Sequence, residues 1–184
     1  ILAEYKNTRR PEETRALIDH ITMLMGITLI IVTIIGIVSA PLIIYVSAPG
    51  FSADAEKFDL TVALLRITFP YILFISLVAL AGSILNTYGK FNVPAITPAL
   101  LNISFIACAL WLTPVFEPPI IALAWAVFIG GLLQLAFQIP FLLHLRLLPR
   151  IRLKNPDTGA WRVIKLMGPA IFGVSVSQIS LLIN

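Results

Sequence analysis

Five long stretches without a charged residue divide this chain and limit what it can fold into. They cover residues 21–47, 67–89, 91–116, 118–143 and 166–184. A helix needs about 20 apolar residues to cross the hydrocarbon core of a bilayer, which is about 30 Å thick. None of the stretches alternates with period 2 like a membrane β-strand, and backbone groups inside a bilayer must be hydrogen-bonded internally. The sequence therefore predicts an all-α, polytopic transmembrane helix bundle with four complete spans and most of a fifth.

The composition favours the same class. Hydrophobic residues make up 59% of the 184 residues and charged residues only 12%, whereas an average soluble domain has about 25% charged residues. Such a chain cannot cover a soluble surface with polar groups, which excludes soluble enzymes, nucleic-acid-binding domains and disordered segments. We expect one membrane-embedded region with spans at about 18–46, 58–89, 92–115, 119–145 and 161–184.

The basic residues are distributed unequally between the two sides of these spans. Eleven of the 13 Lys and Arg lie in residues 1–20, at position 90 or in the 144–165 loop, and the other two are Lys57 and Arg66. Short basic loops remain in the cytoplasm. The residue 1 end is therefore predicted to be cytoplasmic, with residue 184 at or near the outer face. Arg66 either snorkels to the headgroups or faces a wet cavity.

Several prolines fall inside the predicted helices. Each removes an intrahelical hydrogen bond and favours a kink, and their number indicates a bundle that bends or moves. The principal kink candidates are Pro70, Pro98 and Pro169.

Small and polar residues recur at helical spacing within the spans. Unpaired amides in hydrocarbon cost several kcal/mol, so these stripes are expected to face the bundle interior. They comprise Ala79, Gly82, Ser83 and Asn86 in the second run, Pro94, Pro98 and Asn102 in the third, and Gly130, Gln134 and Gln138 in the fourth.

The last run carries a similar face, which begins with basic residues at its cytoplasmic end. Arg162 and Lys165 are followed by a small-polar stripe that includes Ser177 and Asn184. Close packing through small residues is one interpretation. The other is a hydrated pathway for an anionic head group, with these four residues as candidates for the substrate pathway.

No catalytic or metal-binding pattern is present in the sequence. Cys108 is the single cysteine, and His20 and His144 have no ligand residues at metal-binding spacing. The acidic residues all fall in loops or at span ends, and nucleophile, phosphate-loop and zinc motifs are missing. We therefore expect neither an enzyme nor a protein that requires a metal or a cofactor.

Longer strings of residues resemble a known family. The most extensive are LLRITFPYILFISLVALAGSILNTYGKFNVPAITPALLNIS from position 64 and MGPAIFGVSVSQISLLIN from position 167, with PPIIALAWAV from position 118. They are similar to the MurJ (MviN) lipid II flippase family of Gram-negative bacteria, within the multidrug/oligosaccharidyl-lipid/polysaccharide exporter superfamily. The resemblance implies a fragment of a 14-helix exporter-type fold, from the end of helix two to helix seven. A start at Ile1 and an end inside an apolar run agree with an internal piece.

The resemblance also implies a function. The family carries lipid II, the undecaprenyl-pyrophosphate-linked muropeptide, from the inner to the outer leaflet of the bacterial cytoplasmic (inner) membrane by alternating access. Lipid II and membrane lipids would then be the partners, and nucleic acid would not. The arginines that the family uses for the pyrophosphate lie mostly outside this chain. Two alternatives remain: a related exporter of drugs or of another lipid-linked oligosaccharide, and a membrane scaffold that transports nothing.

Overall fold

The computed structural model describes residues 2–149 and residue 165, without the side chains of residues 52 and 53. All regular structure in this part of the chain is helical, which confirms the predicted all-α class. The described residues fall into two compact units, of which the first includes residues 2–24 and the second comprises residues 25–148. The fifth predicted span, 161–184, lies outside the described residues except for Lys165, which is helical and exposed.

The described part of the first unit is a short helix followed by the start of a long one. Helix α1 covers Leu2–Thr8 and helix α2 covers Pro11–Val38. Proline suits the first helical position because its missing N–H would have no intrahelical partner there. Two glutamates follow in the first turn of α2, where negative charge is favoured by the helix dipole. Arg9 pairs with one of them, with its Nη1 3.6 Å from Glu13 Oε2.

The second unit begins within α2, which ends near a proline. Helix α3, Ala40–Ser47, follows after Ser39. Pro41 has no N–H to donate to the carbonyl of Ile37 four residues earlier. The Nε of Arg66 donates to that carbonyl instead, at 3.3 Å. Neither the snorkelling nor the cavity interpretation of Arg66 includes this bond, which links the end of α2 to helix α4.

A 3-10 helix, Pro49–Ala53, leads to α4, Ala55–Thr68. Asp54 caps α4 by accepting a hydrogen bond from the backbone N–H of Lys57 (3.2 Å), and its carboxylate pairs with the Lys57 ammonium at 3.0 Å. The side chain of Lys57 and its backbone N–H lower the pKa of Asp54.

Helix α5, Tyr71–Thr87, follows α4 after a break at Phe69 and Pro70. Together α4 and α5 make one candidate membrane span, Ala55–Thr87, of 33 residues. The ring of Phe69 occupies the space that a Cβ on Gly36 of α2 would need. A glycine at position 36 therefore lets the Phe69 ring approach the backbone of α2.

The next two helices are α6, Asn92–Trp111, with Pro98 inside it, and α7, Ile120–His144. A 3-10 turn, Thr113–Val115, lies between them. Helix α5 ends before Gly89, whose φ of 75° places it in the left-handed region that glycine adopts without strain.

In the part of the chain that the structure describes, four helical segments are long and apolar enough to cross a membrane, with α4 and α5 taken together: Pro11–Val38, Ala55–Thr87, Asn92–Trp111 and Ile120–His144. Their outward surfaces are unusually apolar. In α2, for example, Ile34 and Ile35 are 56% and 57% exposed. Contiguous exposed aliphatic side chains of this kind suit contact with lipid tails and identify a membrane protein.

Candidate functional site

Helix α7 brings α5 and α6 together through two adjacent glycines. A Cβ on Gly130 would lie 2.6 Å from Leu101 Cδ1 of α6, and a Cβ on Gly131 would lie 2.7 Å from Tyr71 Cδ2 of α5. Without side chains at these positions, two neighbouring helices can approach α7 from different sides. Phe74 of α5 adds an edge-to-face contact with Phe128 of α7, at a ring-centroid distance of 5.3 Å. Small residues and aromatic contacts of this kind are typical of helix packing in membranes.

A groove of about 450 Å³ lies among α5, α6 and α7. Its volume is within the usual range for small-ligand sites, about 300–1,000 Å³. None of the described residues that line the groove is charged. Its polar side chains come from all three helices: Ser83, Asn86 and Thr87 of α5, Thr97 of α6, and Gln134 and Gln138 of α7.

The floor of the groove is a buried hydrogen-bond network centred on Thr97. Gln138 Nε2 donates to Thr97 Oγ1 at 3.0 Å, and Gln134 Nε2 donates to the Thr97 carbonyl at 3.2 Å. The Thr97 hydroxyl donates in turn to the carbonyl of Val93 (2.9 Å). Tyr71 closes the network from α5, with its hydroxyl 3.4 Å from Gln134 Oε1. The two amides of α7 are thus held in fixed orientations by α6.

One acceptor of this network has no partner. Gln138 is 1% exposed, and its Oε1 makes no hydrogen bond. The orientation of the amide follows from its neighbour: the Thr97 hydroxyl already donates to Val93, so its oxygen accepts and the NH₂ of Gln138 faces it. An unpaired buried oxygen of this kind costs about 1–3 kcal/mol.

The predicted interior stripes are confirmed in one helix and corrected in another. Gly130, Gln134 and Gln138 of α7 are all buried, as expected. In α6 the expectation holds for Pro94 and Pro98, which line the groove, but was wrong for Asn102, which is exposed and is not among the lining residues. The buried polar positions of α6 are instead Thr97, Ser104 and Cys108.

A physical reason for the correction lies in the hydrogen bonds to α7. Ser104 Oγ donates to the Ala126 carbonyl at 2.8 Å, and Thr97 accepts from Gln138, whereas proline has no donor to offer. Thr97 and Ser104 are seven residues apart, two helical turns, and this spacing of small hydroxyl residues was the signal that could have located them.

In α5, Gly82 is buried as expected, but Ser83 and Asn86 are exposed at the rim of the groove.

The residues predicted to line a substrate pathway fall mainly elsewhere. Arg162, Ser177 and Asn184 lie outside the described residues, as does the kink candidate Pro169. Lys165 is exposed. Of the other kink candidates, Pro70 stands between α4 and α5, and Pro98 lies within α6.

The fold and the groove define a class of protein. Among the residues that the structure describes, no group of three or more His, Cys, Asp or Glu could hold a metal ion. Instead, helices long and apolar enough to cross a membrane enclose a groove lined by uncharged hydrogen-bonding groups. The class is that of a polytopic helical membrane protein.

The comparisons with known proteins name the family. The chain belongs to the lipid II flippase MurJ family, whose model matches residues 1–184. The lipid II flippase MurJ of Burkholderia cenocepacia is 43% identical over 100% of this chain and 36% of the relative. Probable lipid II flippases MurJ of Haemophilus influenzae and Vibrio cholerae are also 43% identical over 100% of this chain, covering 38% and 36% of their own lengths. The chain therefore spans somewhat more than a third of these relatives.

Proposed function

We propose that this chain serves as part of a flippase that moves lipid II from the inner to the outer leaflet of the bacterial cytoplasmic membrane. The observation that carries the proposal is the family match over residues 1–184, together with 43% identity to a relative named for that activity. The four apolar helices agree with it, because such a carrier must be embedded in the membrane.

The physical task explains why a polar interior is useful. The head group of a lipid-linked saccharide cannot enter hydrocarbon without losing its hydrogen bonds to water, at a cost of several kcal/mol for each polar group. A transporter supplies hydrated, polar surfaces between its helices while the lipid tail remains in the bilayer. The uncharged groove of α5, α6 and α7 provides one such surface.

The basic face of the last predicted span has a place in this proposal. Arg162 and Lys165 would form a cytoplasmic entrance that attracts the pyrophosphate, and Ser177 and Asn184 would border the pathway. Pro70, Pro98 and Pro169 would let the helices bend between inward-open and outward-open states.

Depletion of the native flippase in cells that express the full-length protein tests the function. The measurement is the amount of lipid II that an external probe can reach on the outer leaflet. We expect the full-length protein to restore it. Failure to restore outer-leaflet lipid II by a correctly inserted protein would contradict the proposal, and reduced drug accumulation in the same cells would favour the drug exporter.

The entrance role needs its own variants. Arg162→Ala with Lys165→Ala is expected to reduce the rate at which lipid II reaches the outer leaflet at least severalfold, because the double variant removes two positive charges. Lys90→Ala, which removes an exposed basic residue from the same predicted side, serves as control. Equal rates in the double variant and in the control would remove Arg162 and Lys165 from the pathway.

A further inference from the structure

The groove of α5, α6 and α7 carries an asymmetry of hydrogen-bonding groups that indicates a ligand. On its floor, the hydroxyl of Thr97 and the amide groups of Gln134 Nε2 and Gln138 Nε2 all donate to protein acceptors. Gln138 Oε1 receives no hydrogen bond. This is unusual for a residue that is 99% buried, and the residue lines the groove. The floor therefore holds an unpaired acceptor that is desolvated and oriented by the bond of Gln138 Nε2 to Thr97.

The surroundings of this acceptor restrict what can satisfy it. No charged residue lines the described groove, so neither a phosphate nor an ammonium group would find a counter-ion there. Ser83 and Asn86 add a hydroxyl and an amide at the exposed rim. Neutral hydroxyl groups, which both donate and accept, match such a lining. The volume, about 450 Å³, is that of a small-ligand site.

We propose that this groove binds the uncharged saccharide part of the membrane-borne substrate, with a sugar hydroxyl or acetamido N–H donating to Gln138 Oε1. The inference rests on the proposed function and adds to it a sugar subsite within one helix bundle. It separates recognition of the sugar from recognition of the pyrophosphate, which requires positive charge.

Two variants distinguish the acceptor, Gln138 Oε1, from the Thr97 hydroxyl that orients the amide. Gln138→Leu removes the acceptor, whereas Thr97→Val removes the hydroxyl that holds the amide but keeps Gln138 Oε1. Ile139→Ala, on the exposed face of α7, is the matched control. Each is made in the full-length protein, and binding is measured for lipid II and for undecaprenyl pyrophosphate, the same lipid without its sugars and peptide.

We expect Gln138→Leu to weaken binding of lipid II about fivefold, which corresponds to the loss of one neutral hydrogen bond. Its binding of undecaprenyl pyrophosphate should be unchanged. Thr97→Val should have a smaller effect on lipid II. Equal weakening for both lipids, or no weakening for either, would overturn the sugar subsite. If the unaltered protein bound and moved neither lipid, the proposed function would fail first.

Protection from chemical labelling gives an independent measurement. Ser83→Cys, in full-length protein with Cys108→Ala, should react with a hydrophilic, uncharged maleimide, and lipid II should slow the reaction severalfold. Undecaprenyl pyrophosphate should not slow it. Ile96→Cys, on the exposed apolar surface of α6, should show no lipid-specific protection. Reaction at position 83 that lipid II leaves unchanged would identify a groove that holds water only, and would overturn the proposal.

Discussion

Arg66 shows how a single charged side chain can repair the backbone of a membrane helix. The proline at position 41 leaves the carbonyl of Ile37 without its usual helical donor, and Arg66 Nε supplies one at 3.3 Å. In a membrane, an unsatisfied carbonyl is more costly than in water because no solvent can replace the missing bond. Arg66 thus holds together the point where α2 ends and α3 begins.

This role predicts a specific coupling between two positions. Arg66→Met should lower the free energy of unfolding of the purified protein by about 1.5 kcal/mol, since one charge-assisted hydrogen bond is lost. In a Pro41→Ala background, the N–H gained at position 41 can reach the Ile37 carbonyl, so Arg66→Met should cost less than half as much. Denaturant unfolding of the four proteins of this double-mutant cycle measures the coupling.

The control for this cycle is Lys57→Met, which breaks the exposed pair with Asp54. Its cost should be the same in both backgrounds. Equal costs of Arg66→Met with and without Pro41 would show that the arginine does not act through the Ile37 carbonyl.

At the scale of elements, α5 and α7 end in the same way with different residues. After α5, the N–H of Gly89 donates to the Asn86 carbonyl, and the N–H of Lys90 donates to the Leu85 carbonyl. After α7, the N–H groups of Arg146 and Leu147 donate in the same pattern, to the carbonyls of Leu143 and Leu142 respectively. Both patterns are Schellman motifs, which place one residue in the left-handed region. That residue is glycine after α5 (φ 75°) but arginine after α7 (φ 57°).

The two helix ends predict substitutions of opposite sign. Gly89→Ala should lower stability by about 1 kcal/mol, because a Cβ is strained at positive φ. Arg146→Gly should be more stable than Arg146→Ala by a similar amount, and this comparison removes the effect of the lost charge. Thermal unfolding in detergent gives all three values. If the Arg146→Gly protein were less stable than the Arg146→Ala protein, the left-handed conformation of Arg146 would be contradicted.

The helices themselves could be predicted because length and apolarity determine them in a bilayer. The buried stripe of α7 could be predicted too, since Gly130, Gln134 and Gln138 stand out from an otherwise apolar sequence. The inward face of α6 could be predicted only in part: Pro94 and Pro98 line the groove, but only the contacts with α7 identify Thr97 and Ser104 as its buried polar residues. The bond from Arg66 to Ile37 joins residues 29 apart, which no local pattern reveals.

At the scale of the whole molecule, the apolar helices α5, α6 and α7 enclose a polar groove. One premise underlies the proposed function: the apolar helices cross the bilayer in a fixed direction. The distribution of Lys and Arg, eleven on one side and two on the other, predicts that direction. The groove opens among residues toward the end of α5 and the start of α6, so this orientation places it in the cytoplasmic half of the bundle.

Thiol labelling of the full-length protein in spheroplasts tests this premise most directly. Single cysteines replace the exposed residues Glu56, Glu117, Lys90 and His144, in a protein with Cys108→Ala. With a membrane-impermeant reagent, positions 56 and 117 should react in intact spheroplasts, and positions 90 and 144 should react only after permeabilisation. Reaction of position 90 or 144 from outside, with positions 56 and 117 protected, would contradict the orientation and the cytoplasmic entrance that depends on it.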